Sequence, residues 1–256
     1  MPKFAKSIEA EQLQKRRPLR EVMRFLSKVA FGALTDLEVI GAENFPSSGP
    51  MIVVGNHFSF VDPAAFVRVS PVPIDFIGGA VNPHAPKIVT WIPRLWGFLP
   101  VYRGTGSRFG LREAEKVLNR NGILAIFPEA GNWANVLRPP RPGAAFLAAQ
   151  TGAPVLPVGL AGMENVFPSL GKFRRARVTV HVGKPFGPFK VNGKGRERRE
   201  QINAIGDEIM QHIAELIPPE RRGHYSDDPA IRAAAQGTEK YPWEDAQEGE
   251  VEGEVM

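Results

Sequence analysis

From Pro18 onward the residues Leu19, Val22, Met23, Leu26, Val29 and Ala30 recur at three- and four-residue spacing. That period predicts an amphipathic helix, and Pro18 suits its first turn, where a missing N–H has no intrahelical partner. Arg20, Arg24 and Lys28 fall on another face, with Lys15, Arg16 and Arg17 just upstream. Such a helix can embed its apolar side between lipid headgroups. The same stripe is equally what a helix packed on its own core displays. Beyond this segment the pattern changes. Short apolar runs at Leu34–Ile40, Met51–Gly55, Ile74–Gly78, Ile123–Phe127, Val155–Leu160 and Val178–Val182 predict strands. Helical segments at Pro63–Val69, Pro86–Leu95, Ser107–Asn119, Gly143–Gln150 and Arg198–Leu216 separate them. The alternation predicts an α/β domain with a largely parallel sheet flanked by helices, preceded by the basic amphipathic helix. No internal repeat is visible. From Ser226 the periodicity fades into acidic, glycine-containing sequence, which reads as a mobile tail. The expected organisation is a helical region at 1–33, an α/β domain at 34–217 and an acidic, flexible tail at 218–256.

Composition sharpens this. Of 256 residues 43% are hydrophobic, enough for a real core. There is no cysteine, which removes disulfides, thiolate metal sites and a cysteine nucleophile. The net charge of +5 conceals an asymmetry: residues 226–256 hold nine acids and two bases, leaving 30 bases against 18 acids, or +12, on residues 1–225. A body so charged attracts anionic lipid, nucleic acid or phosphorylated ligands, and charge alone does not choose among them. The first residues lack the continuous apolar core and small-residue cleavage site of a secretory signal. No apolar run approaches the ~20 residues that span a bilayer. The expectation is a protein that meets a membrane at its surface.

The most informative stretch is Asn56-His57-Phe58-Ser59-Phe60-Val61-Asp62-Pro63, between the strand Met51–Gly55 and a helix. Loops at the carboxyl edge of such a sheet are where ligands bind. An imidazole titrates near neutrality. Asp62 can fold back onto one ring nitrogen of His57 and leave the other as proton acceptor, the logic of a His–Asp pair. With Pro63 behind it, Asp62 is also suited to cap the helix. A lone His-x4-Asp is weak, because the spacing recurs by chance.

It is not alone. Asn56, His57 and Asp62 resemble the Asn-His-x4-Asp block of the lysophospholipid acyltransferase family, which includes 1-acyl-glycerol-3-phosphate acyltransferases. Val101-Tyr102-Arg103-Gly104 resembles its second block, Phe127-Pro128-Glu129-Ala130-Gly131 its Phe-Pro-Glu-Gly block, and Ala153-Pro154-Val155-Leu156-Pro157-Val158 its apolar block around proline. The flanks Gly41–Pro46 and Gly183–Phe186 are similar too. The likeness runs over about residues 34–215, and four blocks in order form a strong signal. It implies an O-acyltransferase that moves a fatty acyl group from acyl-CoA or acyl-carrier protein to a lysophospholipid hydroxyl, with no covalent enzyme intermediate and no cofactor or metal. His57 becomes the general base, oriented by Asp62. Arg103 holds an anionic group of the acceptor, since a guanidinium matches phosphate; a single Arg after a strand is otherwise a surface residue. Glu129 lines the acceptor site and the turn at Gly131 offers N–H groups to phosphate; the alternative is a carboxylate paired with a nearby Arg. The implied partners are acyl-CoA or acyl-carrier protein, a lysophospholipid and an anionic membrane surface, met peripherally from the cytoplasmic face, with no nucleic acid. One departure stands out. Where the family has Phe-Pro-Glu-Gly-x-Arg, this chain has Asn132 in place of the Arg. Arg138 or Arg141 could replace it, or the acceptor is less charged, such as a glycolipid or neutral alcohol.

Trp91 and Trp96 lie in an aromatic segment that ends at Pro100. With Phe58 and Phe60 they suit an acyl groove or the bilayer interface, or simply a core. Gly104-Thr105-Gly106 precedes a helix, but no dinucleotide or Walker pattern exists. His84, His181, His212 and His224 show no metal-ligand spacing. Two rival readings remain. A thioesterase or lysolipid hydrolase would have to activate water on His57, without a Gly-x-Ser-x-Gly elbow. A basic lipid- or nucleic-acid-binding protein would leave the four blocks unexplained.

Overall fold

The computed structural model describes residues 9–79, 91–101 and 108–240. The chain runs α1 (Ala10–Lys15), α2 (Arg17–Leu34), β1 (Thr35–Ile40), β2 (Met51–Gly55), α3 (Asp62–Val69), β3 (Asp75–Gly79), α4 (Trp91–Trp96), β4 (Leu99–Val101) and α5 (Arg108–Asn119). It continues through β5 (Ile123–Ile126), α6 (Gly143–Thr151), β6 (Val155–Ala161), α7 (Val166–Leu170), β7 (Ala176–Val182), α8 (Gly195–Glu215) and α9 (Pro229–Ala235). The strands form one seven-stranded sheet in the order β1-β7-β6-β2-β5-β3-β4. β6, β2, β5, β3 and β4 run parallel. β7 pairs antiparallel with β6, and β1 follows β7 in parallel. The α/β architecture with a largely parallel sheet is the one the alternation predicts.

Every residue of β2 is buried, because both sheet faces are covered. Its side chains alternate between two cores. Ile52 and Val54 join Leu124, Leu147 and Ile209 under α5, α6 and α8. Met51 and Val53 join Phe31, Phe66, Leu156 and Val178 under α2 and α3. Three short elements escaped the sequence pattern. α1 contributes Leu13 as its buried apolar anchor, with Ala10 beside it. β4 is three residues around Pro100 at the sheet edge, where a missing N–H is tolerated. α7 has five residues, too few for a period to register.

α2 is amphipathic as expected, and of the two orientations open to it the apolar face is turned outward. Arg20 and Arg24 are buried, whereas Leu19, Val22, Phe25, Leu26 and Val29 are exposed, Phe25 at 65%. The arginines turn inward because the domain satisfies them. Arg20 bonds Asp75 at 2.5 Å and the Trp96 carbonyl at 2.8 Å, and Arg120 reaches the other Asp75 oxygen at 3.0 Å. Arg24 donates to the Ser70 carbonyl at 2.7 Å and pairs with Glu21. Of the stripe, Met23 packs against the core, whereas Leu19, Val22, Leu26 and Val29 stay outside it. No helix among the described residues is long and apolar enough to cross a membrane.

Residues 218–240, expected within the acidic tail, hold two single-turn helices and α9. They are fastened by the backbone rather than by an apolar stripe: Leu137 N donates to the Arg221 carbonyl at 2.9 Å and His224 N to the Leu137 carbonyl at 3.1 Å. The acidic residues beyond 240 lie outside the described residues.

Candidate active site

β2 and β5 are parallel neighbours whose chains leave in opposite directions. After β2 the chain forms α3, which packs on one core, and after β5 it leads to α6, which packs on the other. A crevice opens at the carboxyl ends of two strands that part in this way. The loop 56–61 and the turn 127–138 meet there.

Gly55 ends β2 because nothing larger fits: a Cβ would lie 2.6 Å from the Phe66 ring and 2.7 Å from the Val158 carbonyl oxygen. Asn56, 1% exposed, then bonds β6. Its Nδ2 donates to the Leu160 carbonyl at 2.9 Å, and its Oδ1 accepts from Leu160 N at 2.7 Å. Asparagine alone offers both halves of that pairing in so short a side chain. With the loop pinned, His57 Nδ1 sits 2.9 Å from Asp62 Oδ2. The same oxygen accepts the Ser59 amide at 2.8 Å. Asp62 thus faces back into the loop, and the expected side-chain cap on α3 is not made. Burial pushes its carboxyl above the ordinary range, opposed by the hydrogen bond from His57. The imidazole is also stacked on Phe127, with centroids 4.2 Å apart and planes 18° apart. Phe127 in turn stacks on Phe66 at 5.0 Å. Asp62 fixes the ring's edge and Phe127 its plane, while His57 Nε2 has no partner among the described residues.

Glu129 is brought to His57, but beneath it. The carboxylate is 1% exposed, accepting the His57 amide at 2.8 Å and the Arg138 amide at 3.3 Å. Arg138 Nε lies 3.2 Å from it. Burial raises the Glu129 pKa to about 7, opposed by the Arg138 charge. This is the arginine-paired carboxylate that the sequence left as an alternative. Arg138 is also buried, donating to the Gly131 carbonyl and stacking 3.7 Å over Trp133. Trp133 Nε1 bonds the Thr238 carbonyl at 2.9 Å, so the C-terminal segment backs the turn. Gly131 is buried in this packing, with its carbonyl engaged by Arg138. Arg103 lies outside the described residues.

The aromatic candidates separate. Phe58 and Trp96 are core residues, and Trp96 bonds the Ile74 carbonyl at 3.0 Å, so neither reaches a groove or a bilayer. Trp91 is exposed. Phe60, half-buried, stacks on Phe167 at 5.2 Å beside the His57 loop. The support that Phe127 gives the imidazole is invisible in the sequence, because a motif shows no stacking. Among the described residues no three His, Asp or Glu side chains gather as a metal site.

Residues 36–161 match the family model described as Acyltransferase. Residues 36–161 are an acyltransferase-family domain. A 1-acyl-sn-glycerol-3-phosphate acyltransferase of Chlamydomonas reinhardtii is 28% identical over 192 residues, 72% of this chain and 54% of that protein. A chloroplastic 1-acyl-sn-glycerol-3-phosphate acyltransferase of Brassica napus is 30% identical over 174 residues, 66% of this chain and 49% of that protein. This chain therefore spans about half the length of either relative. The solved structure of the 1-acyl-sn-glycerophosphate acyltransferase PlsC from Thermotoga maritima superposes with a TM-score of 0.53 and 25% identity. That match covers 76% of this chain and 80% of the other. The family match includes both strands of the crevice, β2 and β5.

Proposed function

We propose that the chain is an O-acyltransferase that moves a fatty acyl group from acyl-CoA or acyl-carrier protein to a lysophospholipid hydroxyl, as on 1-acyl-glycerol-3-phosphate. The observation that carries this is the 2.9 Å contact of His57 with Asp62 at the crevice. With its Nδ1 proton donated to buried Asp62, the imidazole accepts protons at Nε2. Nε2 removes the acceptor's hydroxyl proton as that oxygen attacks the thioester carbonyl carbon. The C–S bond then breaks, and the departing thiolate takes the proton back from Nε2. An ester and a free thiol leave, and His57 is restored. Asp62 is a neighbouring charge for the transient imidazolium, and Phe127 keeps the ring from turning.

The relatives' names support a lysophosphatidate-type acceptor, for which Arg103 is the phosphate ligand that the resemblance implies. The outward apolar face of α2 suits a chain lying on the anionic cytoplasmic face of a membrane, where such acceptors reside. One observation favours a less charged acceptor. Asn132 stands where the family motif has Arg, and Arg138, the cation nine residues past Glu129, is buried against Glu129 and Trp133. Purified protein should be offered a long-chain acyl thioester with a panel of lysophospholipids, glycerol-3-phosphate and glycolipids, and the products weighed by mass spectrometry. An ester that forms only with a lysophospholipid supports the reading. Thioester hydrolysis at the same rate with and without acceptor ends it.

A further inference from the structure

The turn between α7 and β7 carries the most exposed apolar side chain of the described residues. Phe173 is 100% exposed, in a left-handed conformation with φ of 53° that bulky residues rarely adopt. It is flanked by Lys172, Arg174, Arg175 and Arg177, all exposed. Arg175 fastens this turn to α2: it donates to the Gly32 carbonyl at 3.0 Å and to the Thr35 carbonyl, and pairs with Asp36 at 3.2 Å. A cation on the last carbonyls of a helix is favourable. Gly32 is about one turn beyond Val29, so the turn that carries Phe173 is fastened at the end of α2 where the exposed stripe Leu19-Val22-Leu26-Val29 runs out. Beside it an open cleft of about 610 Å³ is lined by Asp36, Ser169, Arg174, Arg175 and Arg177. Asp36 is already paired with Arg175, and the side chains of Arg174 and Arg177 have no partner among the described residues. From the same α7, Phe167 reaches back to Phe60 in the His57 loop.

We propose that the turn Gly171–Arg175 is a second membrane contact, Phe173 entering the bilayer interface while the cleft with Arg174 and Arg177 takes the phosphate of an anionic lipid headgroup. Together with α2 it gives two fixed points on one surface, which orients the crevice toward the membrane. A lone exposed helix leaves the molecule free to roll about that helix. Charge complementarity selects the occupant: an exposed aromatic ringed by cations is the pattern that anionic interfaces recruit.

This inference deepens the proposed membrane acceptor and rests on that reading, yet its test is separate from turnover. The full chain is cosedimented with phosphatidylcholine vesicles, with and without phosphatidylglycerol, as wild type, F173S and the double variant R174A/R177A. Arg175 is left intact because it anchors the turn. F173S should lose roughly tenfold in affinity for both vesicle types, the scale of one buried aromatic. The double variant should lose roughly twenty-five-fold for the anionic vesicles only, about fivefold for each cation. Wild-type vesicle affinity in both variants overturns the inference, as does a wild type whose Arg174- and Arg177-dependent ligand is coenzyme A or inorganic phosphate rather than vesicles. Acyl transfer to a short-chain, monomeric lysophospholipid, run on the same preparations, should be equal in all three proteins. Its absence from the wild type sinks the proposed activity and leaves the vesicle result standing.

Discussion

Glu129 Oε1 accepts the amide hydrogen of His57 at 2.8 Å, so the ends of β2 and β5 are tied together directly beneath the imidazole. The carboxylate acts on the backbone of the base and lies out of an acceptor's reach, being 1% exposed. Losing this bond frees the loop that Asp62 and Phe127 otherwise align.

The same burial gives Glu129 a signature in stability. Its pKa is raised from an ordinary 4.5 to about 7, so between these values the folded chain holds a proton that the unfolded chain has released. Stability then falls as pH rises through that window and levels off above it. The fall is on the order of 3 kcal/mol from this one group. Asp62, also raised by burial, contributes with the same sign. In Glu129→Gln the titration is gone, so the slope of unfolding free energy between pH 4.5 and 7, measured by urea denaturation, should be distinctly shallower than in the wild type. Equal slopes would mean that Glu129 titrates normally.

Asp62→Asn tests the positioning of the base. Asparagine keeps the size but presents an uncharged group to Nδ1, so the preference for a proton on Nδ1 is lost. Acyl transfer should drop on the order of 10³-fold in kcat with little change in KM. A fall confined to KM would place Asp62 in substrate binding instead.

Ala130 occupies the place of the family's motif glycine and sits at φ of 58°, where a Cβ crowds the backbone. Ala130→Gly should raise stability by about 1 kcal/mol, seen as a higher Tm. An unchanged or lower Tm would show that the turn has relaxed around the methyl group.

The parallel sheet was readable because β2, β5 and β6 are buried on both faces and appear as unbroken apolar runs. The meeting of His57 with Asp62 was readable because a strand–loop–helix unit keeps residues five apart close together. What could not be read depends on contacts distant in sequence. Glu129 is 72 residues from the amide that it accepts, and the stack of His57 on Phe127 follows from the pairing of β2 with β5. The orientation of α2 has the same origin. Periodicity shows that the helix has two faces, but Asp75, 55 residues away, decides which of them goes inside.

That orientation yields a pair of opposed expectations for one helix. Arg20 is buried with its charge met by Asp75, and Arg120 completes the cluster. Arg20→Ala leaves a buried carboxylate with one partner in place of two and strips the Trp96 carbonyl of its donor. Removing one partner of a buried pair costs about 3 kcal/mol, which denaturant unfolding will register. Phe25→Ser, five residues on, removes a side chain already 65% exposed and should change stability by less than about 0.5 kcal/mol. Vesicle binding should respond in the opposite order, weakened by Phe25→Ser and unchanged in whatever Arg20→Ala protein remains folded. If Phe25→Ser destabilised the chain as strongly as Arg20→Ala, the apolar face of α2 would have to be packed inward after all.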